Sequence, residues 1–244
     1  MAEKKEKTIV KATTPTTERV IKEAKPVGNA GGLRAGAVIL WVVAVVLEIL
    51  AILQLFGKIN ITFMPQMWVF IAFLVLDLAC VIIGAQLWKK ANHIKPASEK
   101  NALKFWLWNN MGVIACVIAF VPIIILFLSN KNLDKKTKAI CTVVAVIALL
   151  IGGVSSVDWN PVSLEQKEAA VEALGDETVY WAPFGKVYHT HEDCSALNRS
   201  ESLTFGTVDQ AIAAGRTRLC SFCANRDQIT GVVTDKAEEA VAAD

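Results

Sequence analysis

Four long apolar runs cross this sequence of 244 residues, and none of them contains a lysine or an arginine. A carboxylate inside such a run therefore has no cation within the runs to pair with. Other absences exclude whole classes. There is no internal repeat. There is no pair of Gly/Pro-broken apolar segments, the usual mark of a secondary transporter. No short apolar stretch opens the chain. The first run starts late, is too long and is followed by others, which argues against a cleavable signal peptide. Residues 157–244 carry no clustered basic face, so nucleic acid is not an expected partner. Only three of the six cysteines lie outside the runs, and an odd number does not make a disulfide framework.

What is present is apolar. The chain is 54% hydrophobic, too much for an ordinary soluble domain of this size. The runs cover 35–56, 66–88, 105–128 and 139–157. Each has about the 20 residues that a helix needs to cross the hydrocarbon of a bilayer. Cys80, Cys116 and Cys141 fall inside them and read as small buried hydrophobes. The net charge of +2 hides an asymmetry: residues 1–156 carry +10 and residues 157–244 carry −8. The positive charge flanks the runs, where anionic lipid attracts it. Eight Lys/Arg in the N-terminal arm, and five in the 89–104 loop against one in the 57–65 loop, place the arm and the 89–104 loop in the cytoplasm. Four spans then return the C-terminal tail to the cytoplasm. The basic 129–138 loop runs against this orientation.

Outside the runs, residues 1–34 are polar and without periodicity and read as a disordered basic arm. Residues 158–177 read as a linker helix over 163–174, opened by a capping box of Ser163 with Gln166 and stopped by Gly175. Residues 178–190 alternate around Pro183-Phe184-Gly185 as a β-hairpin. Residues 207–215 read as a short helix with a second capping box, Thr207 with Gln210. A short strand over 216–220 leads to a final turn, and residues 227–244 form an acidic tail.

The hairpin and the final turn carry the chemistry. Cys220 and Cys223 form Cys-x-x-Cys, a spacing that lets two thiolates take one ion from a tight turn. Cys194 supplies a third thiolate. His189 and His191, two residues apart on a strand, share a face, and either completes a set of four. Four protein ligands close a zinc ion and leave no position for a reacting water, so the site reads as structural. A module of this size buries too little apolar surface to hold itself together, and a metal supplies the difference. A redox-active Cys220–Cys223 dithiol is the competing reading, but no βαβ pattern surrounds it.

Tyr188-His189, then Cys194, Leu197, Arg199 and Ser200, then Gly206-Thr207, Ala211 and Gly215, then Cys220 and Cys223, make a pattern over about 178–226. It resembles a small zinc-binding module appended to bacterial membrane, surface and nuclease-type proteins, distantly similar to the metal-binding domain of the Ada DNA-repair protein. The resemblance implies that His189, directly after the tyrosine, is the ligand rather than His191. It also implies a bacterial plasma membrane as the setting. It does not carry over the repair chemistry, which needs four cysteines.

Glu48 and Asp77 stand near the middle of the first two runs. They read either as hydrogen-bonding glue between helices or as a proton or cation site. The expected whole is an α-helical membrane protein of four transmembrane helices with a small α+β zinc-binding C-terminal domain. Its expected role is non-enzymatic, binding or scaffolding a protein partner, with a homo-oligomer as a further possibility. Arg199, Arg216, Arg218 and Phe222 are the candidate contacts. The alternatives are a small ion or proton-coupled transporter or channel using Glu48 and Asp77, and a membrane-tethered thiol oxidoreductase using Cys220 and Cys223.

Overall fold

In a computed structural model of the chain, residues 20–59, 61, 65–129, 131 and 134–235 are described. The chain divides into two compact units. One comprises residues 30–91 and 102–159; the other gathers the described parts of 1–29, 92–101 and 160–244.

The first unit is built from α1 (Ala30–Leu55), α2 (Gln66–Ile94, whose last turn runs into the other unit), α3 (Ala102–Asn109), α4 (Met111–Ser129) and α5 (Lys135–Ser156). All of these except α3 are long and apolar enough to cross a membrane. Their packing faces repeat every seven residues. On α1 the buried positions include Ala30, Ala37, Ala44 and Ala51, with Glu48 and Leu55 one turn beyond the last two. On α5 they are Cys141, Ala145, Ala148, Gly152 and Ser156. Small residues let the backbones approach, which is how helices associate where lipid offers no hydrophobic drive. Cys116 and Cys141 sit in these seams as small apolar residues. The opposite face of α1 is apolar as well, with Ile39, Val42, Val46 and Ile49 exposed, a surface suited to lipid rather than water.

The boundaries differ from the sequence reading. The third run is not one helix over 105–128: the chain breaks at Asn110, between α3 and α4. The Asn110 side chain donates to the Trp106 carbonyl at 2.9 Å, and its own amide donates to the same oxygen at 3.0 Å, so one carbonyl is shared at the junction. The fourth helix starts at Lys135, earlier than expected, because Asp134 caps it by accepting from the Thr137 amide at 2.7 Å. Its far end is capped by α2: Lys89 Nζ donates to the Ser155 carbonyl at 2.8 Å, and Gln86 donates to the same oxygen at 3.0 Å. A cation at a helix C-terminus opposes the negative end of the macrodipole.

The second unit holds a small sheet region. β1 (Val20–Glu23), β4 (Ser202–Gly206) and β2 (Val179–Trp181) form one sheet in the order β1-β4-β2. β1 runs parallel to β4, and β2 antiparallel to it. β3 (Val187–Tyr188) and β5 (Arg218–Leu219) pair in parallel as a second sheet. Helices α6 (Leu164–Leu174), α7 (Val208–Ala213) and α8 (Ser221–Arg226) complete the unit. Both capping boxes form, Ser163 with Gln166 and Thr207 with Gln210. The core gathers Trp181, Tyr188, Leu197, Leu203, Ile212 and Leu219.

Three expectations are corrected here. The arm read as disordered over 1–34 contains β1, and α1 begins at Ala30; residues 1–19 lie outside the described residues. β4 supplies the partners that the local sequence of β1 lacks: Val20 donates to Glu201 and Ala24 to Phe205. The 178–190 hairpin is reduced to one bridge, in which Tyr180 and His189 exchange hydrogen bonds of 2.7 and 2.8 Å. Its two strands find their main partners elsewhere, in β4 and β5. The acidic tail is structured as far as Asp235, since Ile229 and Val232 pack on the core and Leu219 donates to the Val233 carbonyl at 3.0 Å. Residues 236–244 lie outside the described residues.

The 92–101 stretch is clasped by α6. Lys167 donates to the Ile94 carbonyl at 2.6 Å and pairs with Asp209 at 2.5 Å. The Leu164 amide donates to the Ala97 carbonyl at 3.0 Å. Glu165 accepts from the Ser98 hydroxyl and, at 2.9 Å, from the Glu99 amide.

Candidate metal centre

His189, Cys194, Cys220 and Cys223 come together in the second unit, all four buried. One ligand atom from each lies within 4.8 Å of every other. The Sγ atoms of Cys194 and Cys220 are 4.0 Å apart, and Cys223 Sγ is 3.8 Å from His189 Nδ1. A tetrahedron of sulfurs with zinc–sulfur bonds of 2.3 Å has edges of about 3.8 Å. A disulfide needs ~2.05 Å between sulfurs, and all three cysteines are free thiols. Four donors of these types at these separations could hold one metal ion.

Each ligand is set by its element. His189 follows β3, and its backbone is fixed by the exchange with Tyr180. Cys194 opens the 3-10 turn Ser195–Leu197. Cys220 directly follows β5 as the cap of α8, which carries Cys223, and the Cys220 amide donates to the Tyr188 carbonyl at 2.9 Å. The backbone amides of Phe222 and Cys223 donate to the Cys220 sulfur, and that of Ala196 to the Cys194 sulfur. Such N–H groups favour thiolates over thiols. The Cys223 thiol is drawn down to about 3, first by the hydrogen bond from Cys220 and then by His189 and Thr190. Cys220, the donor of that bond, is pushed up in consequence.

The other histidine is occupied elsewhere. His191 is half-exposed, and its Nε2 lies 2.9 Å from Asp227 Oδ1. Asp227 also accepts from the Thr190 hydroxyl at 2.5 Å. Thr190 therefore stands between the Cys223 sulfur, which its backbone amide approaches, and the Asp227 carboxylate, which takes its hydroxyl, a supporting position that spacing alone does not reveal. Its place between the two histidines was the available signal. Asp235 was missed as well: its carboxylate accepts from the Ser221 amide at 2.7 Å, beside the first ligand of the Cys-x-x-Cys turn.

Of the other residues singled out, Arg216 is committed to structure. Its guanidinium donates to the carbonyls of Ala182 at 3.0 Å and of Pro183 and Ala214, bracing the turn that carries the fully exposed Phe184. Glu48 and Asp77 are both buried in the first unit, where Asp77 has no exposure at all. Compared with family models, curated proteins and solved structures, the chain gives no match.

Proposed function

We propose that this chain is a multi-pass membrane protein whose second unit is held in shape by a structural zinc ion and docks a protein partner at the membrane surface. The observation that carries the reading is the convergence of His189, Cys194, Cys220 and Cys223 into one buried set of four donors. Thiolates and imidazole are the donors zinc prefers, and four of them leave no open position for catalysis. The resemblance of residues 178–226 to the zinc-binding module of bacterial membrane and surface proteins points the same way. When bound, the ion would join β3, the 3-10 turn and α8 at one point. Structural zinc contributes about 10–16 kcal/mol in small finger peptides, enough to decide whether a unit of this size folds.

Residues 20–29, 92–101 and 160–235 belong to one unit, which supports a topology where the chain crosses the bilayer in pairs and returns each time to the same side. The basic residues before α1 and in 89–104 favour the cytoplasm for that side. Thiols stay reduced there, as zinc ligation needs. Phe184 and Phe222, both exposed, are the contact candidates on this unit.

The test is metal content and unfolding of the full chain in detergent, with and without chelator. A single zinc ion per chain, lost together with the fold of the tail and lost also in Cys194→Ser, is expected. Metal-free protein with a Cys220–Cys223 disulfide of measurable potential would overturn the reading and favour a thiol oxidoreductase.

A further inference from the structure

Glu48 lies on α1 and Asp77 on α2, within electrostatic reach of one another. The register of this antiparallel pair is marked by contacts on one side of them. Trp41 Nε1 donates to the Val81 carbonyl at 3.4 Å. A Cβ on Gly84 would lie 2.6 Å from the same indole nitrogen, so Gly84 and Trp41 are opposite. Moving seven residues along each helix keeps the same face, and it leads from Trp41 to Glu48 and from Gly84 to Asp77. The carboxylate of Glu48 is the charge that Asp77 senses.

Among the described residues nothing at this level neutralises the pair. Asp77 is fully buried and Glu48 is 7% exposed. Both carboxylate oxygens of Asp77 are buried without a hydrogen-bond partner among the described residues. The other titratable groups within electrostatic reach of Asp77 are the thiols of Cys80 on α2 and Cys116 on α4. On α5 the position beside Cys116 and Leu78 is Gly152, which brings no side chain. α4 carries no basic residue. Arg34 on α1, Lys89 on α2 and Lys138 on α5 each stand at least about three turns from this level. Two bare carboxylates within electrostatic reach of one another inside a low-dielectric bundle repel, and each alone is costly there.

We propose that Glu48 and Asp77 form a proton-binding site at mid-span, in which one carboxyl group is kept as the acid and donates its hydrogen bond to the other. The unpartnered oxygens of Asp77 are the acceptors this needs. A proton suits the site better than an alkali cation. A hard cation wants some six oxygen ligands, and thiols are soft. A cavity of about 180 Å³ begins one turn away, at Ala44 and Val81, but its walls are almost wholly apolar, so it offers no wet path. The proton is therefore held, not relayed. This inference is independent of the metal centre.

Infrared spectroscopy of the full chain in lipid nanodiscs tests it, read in the stretching band of protonated carboxyl groups from about pH 5 to about pH 9. The wild-type protein is expected to show the band at neutral pH. It should shift in Glu48→Gln and in Asp77→Asn, and vanish when both are combined. Carbon-13 labelling of aspartate or glutamate side chains in the wild-type protein should also move it, a readout that needs no variant to fold. A wild-type protein without the band at neutral pH, or a band that ignores both labels, would overturn the proposal. So would loss of the band on adding sodium at constant pH, which would make the occupant a metal cation.

Discussion

His189 Nδ1 lies 3.8 Å from Cys223 Sγ, although 34 residues separate them in the chain. Two short segments converge to make that contact. β3 delivers the imidazole, α8 delivers the sulfur, and the bond from the Cys220 amide to the Tyr188 carbonyl ties the two elements together.

The two histidines should therefore differ sharply on substitution. His189→Ala is expected to lose bound zinc, whereas His191→Ala keeps it and loses only the contact to Asp227. Metal per chain, measured on the purified full-length variants, separates them. Equal loss from both would place His191 in the site.

Tyr188 offers a test of the core. It is wholly buried, and its hydroxyl has no hydrogen-bond partner among the described residues. Burying an unpaired hydroxyl costs about 1–3 kcal/mol, so Tyr188→Phe should leave stability unchanged or raise it by about 1 kcal/mol. A clear loss in thermal unfolding would reveal a partner for the hydroxyl.

The clasp on 92–101 should be acid-sensitive. The Ser98 hydroxyl, and then the Glu99 amide, hold the Glu165 carboxyl below its ordinary value. A carboxylate of this kind stabilises the fold above its unfolded value of about 4.3 and ceases to as falling pH protonates it. Protease protection of the 92–101 stretch should decline with acidification in the wild-type chain. In Glu165→Gln that decline should be flatter, from a lower start at neutral pH. Identical profiles would show that the clasp does not depend on this carboxylate.

Two adjacent glycines in α5 should respond oppositely. A Cβ on Gly152 would stand 2.7 Å from Cys116 Sγ, while a Cβ on Gly153 would meet nothing within 4 Å. Gly152→Leu is expected to destabilise the bundle by about 1–3 kcal/mol through overpacking. Gly153→Leu should be nearly neutral, as thermal unfolding in detergent would show. Equal effects would mean that α5 presents another face.

Much of this was legible in local sequence. Run length announced the four long helices. Ser163 with Gln166, and Thr207 with Gln210, announced two helix starts, because a capping box satisfies its amides within four residues. The cysteine spacing announced a buried His/Cys cluster that could hold a metal ion, while the resemblance rather than the spacing singled out His189 over His191. What escaped depends on distant partners. β1 is four residues with a mostly exposed pattern, and only β4 makes it a strand. The alternation over 178–190 was real, but β2 and β3 each gain more from other strands than from each other. The break at Asn110 lay hidden because apolar run length does not register a one-residue interruption between two helices. The similar depth of Glu48 and Asp77 follows from antiparallel spans alone, and alanine at every seventh position of α1 marks the face on which Glu48 sits.

The parallel pairing of β1 with β4 also sets an order of events during synthesis. Residues 20–24 leave the ribosome about 180 residues ahead of β4, a wait of roughly 10–40 s at ordinary elongation rates. All four long helices are made in that interval. The second unit therefore closes only after the membrane part of the chain exists, and its last ligand, Cys223, emerges later still. Completion of that unit is a record that all four long helices have been translated, and a nascent chain stalled inside α5 presents β1 without its partner strand.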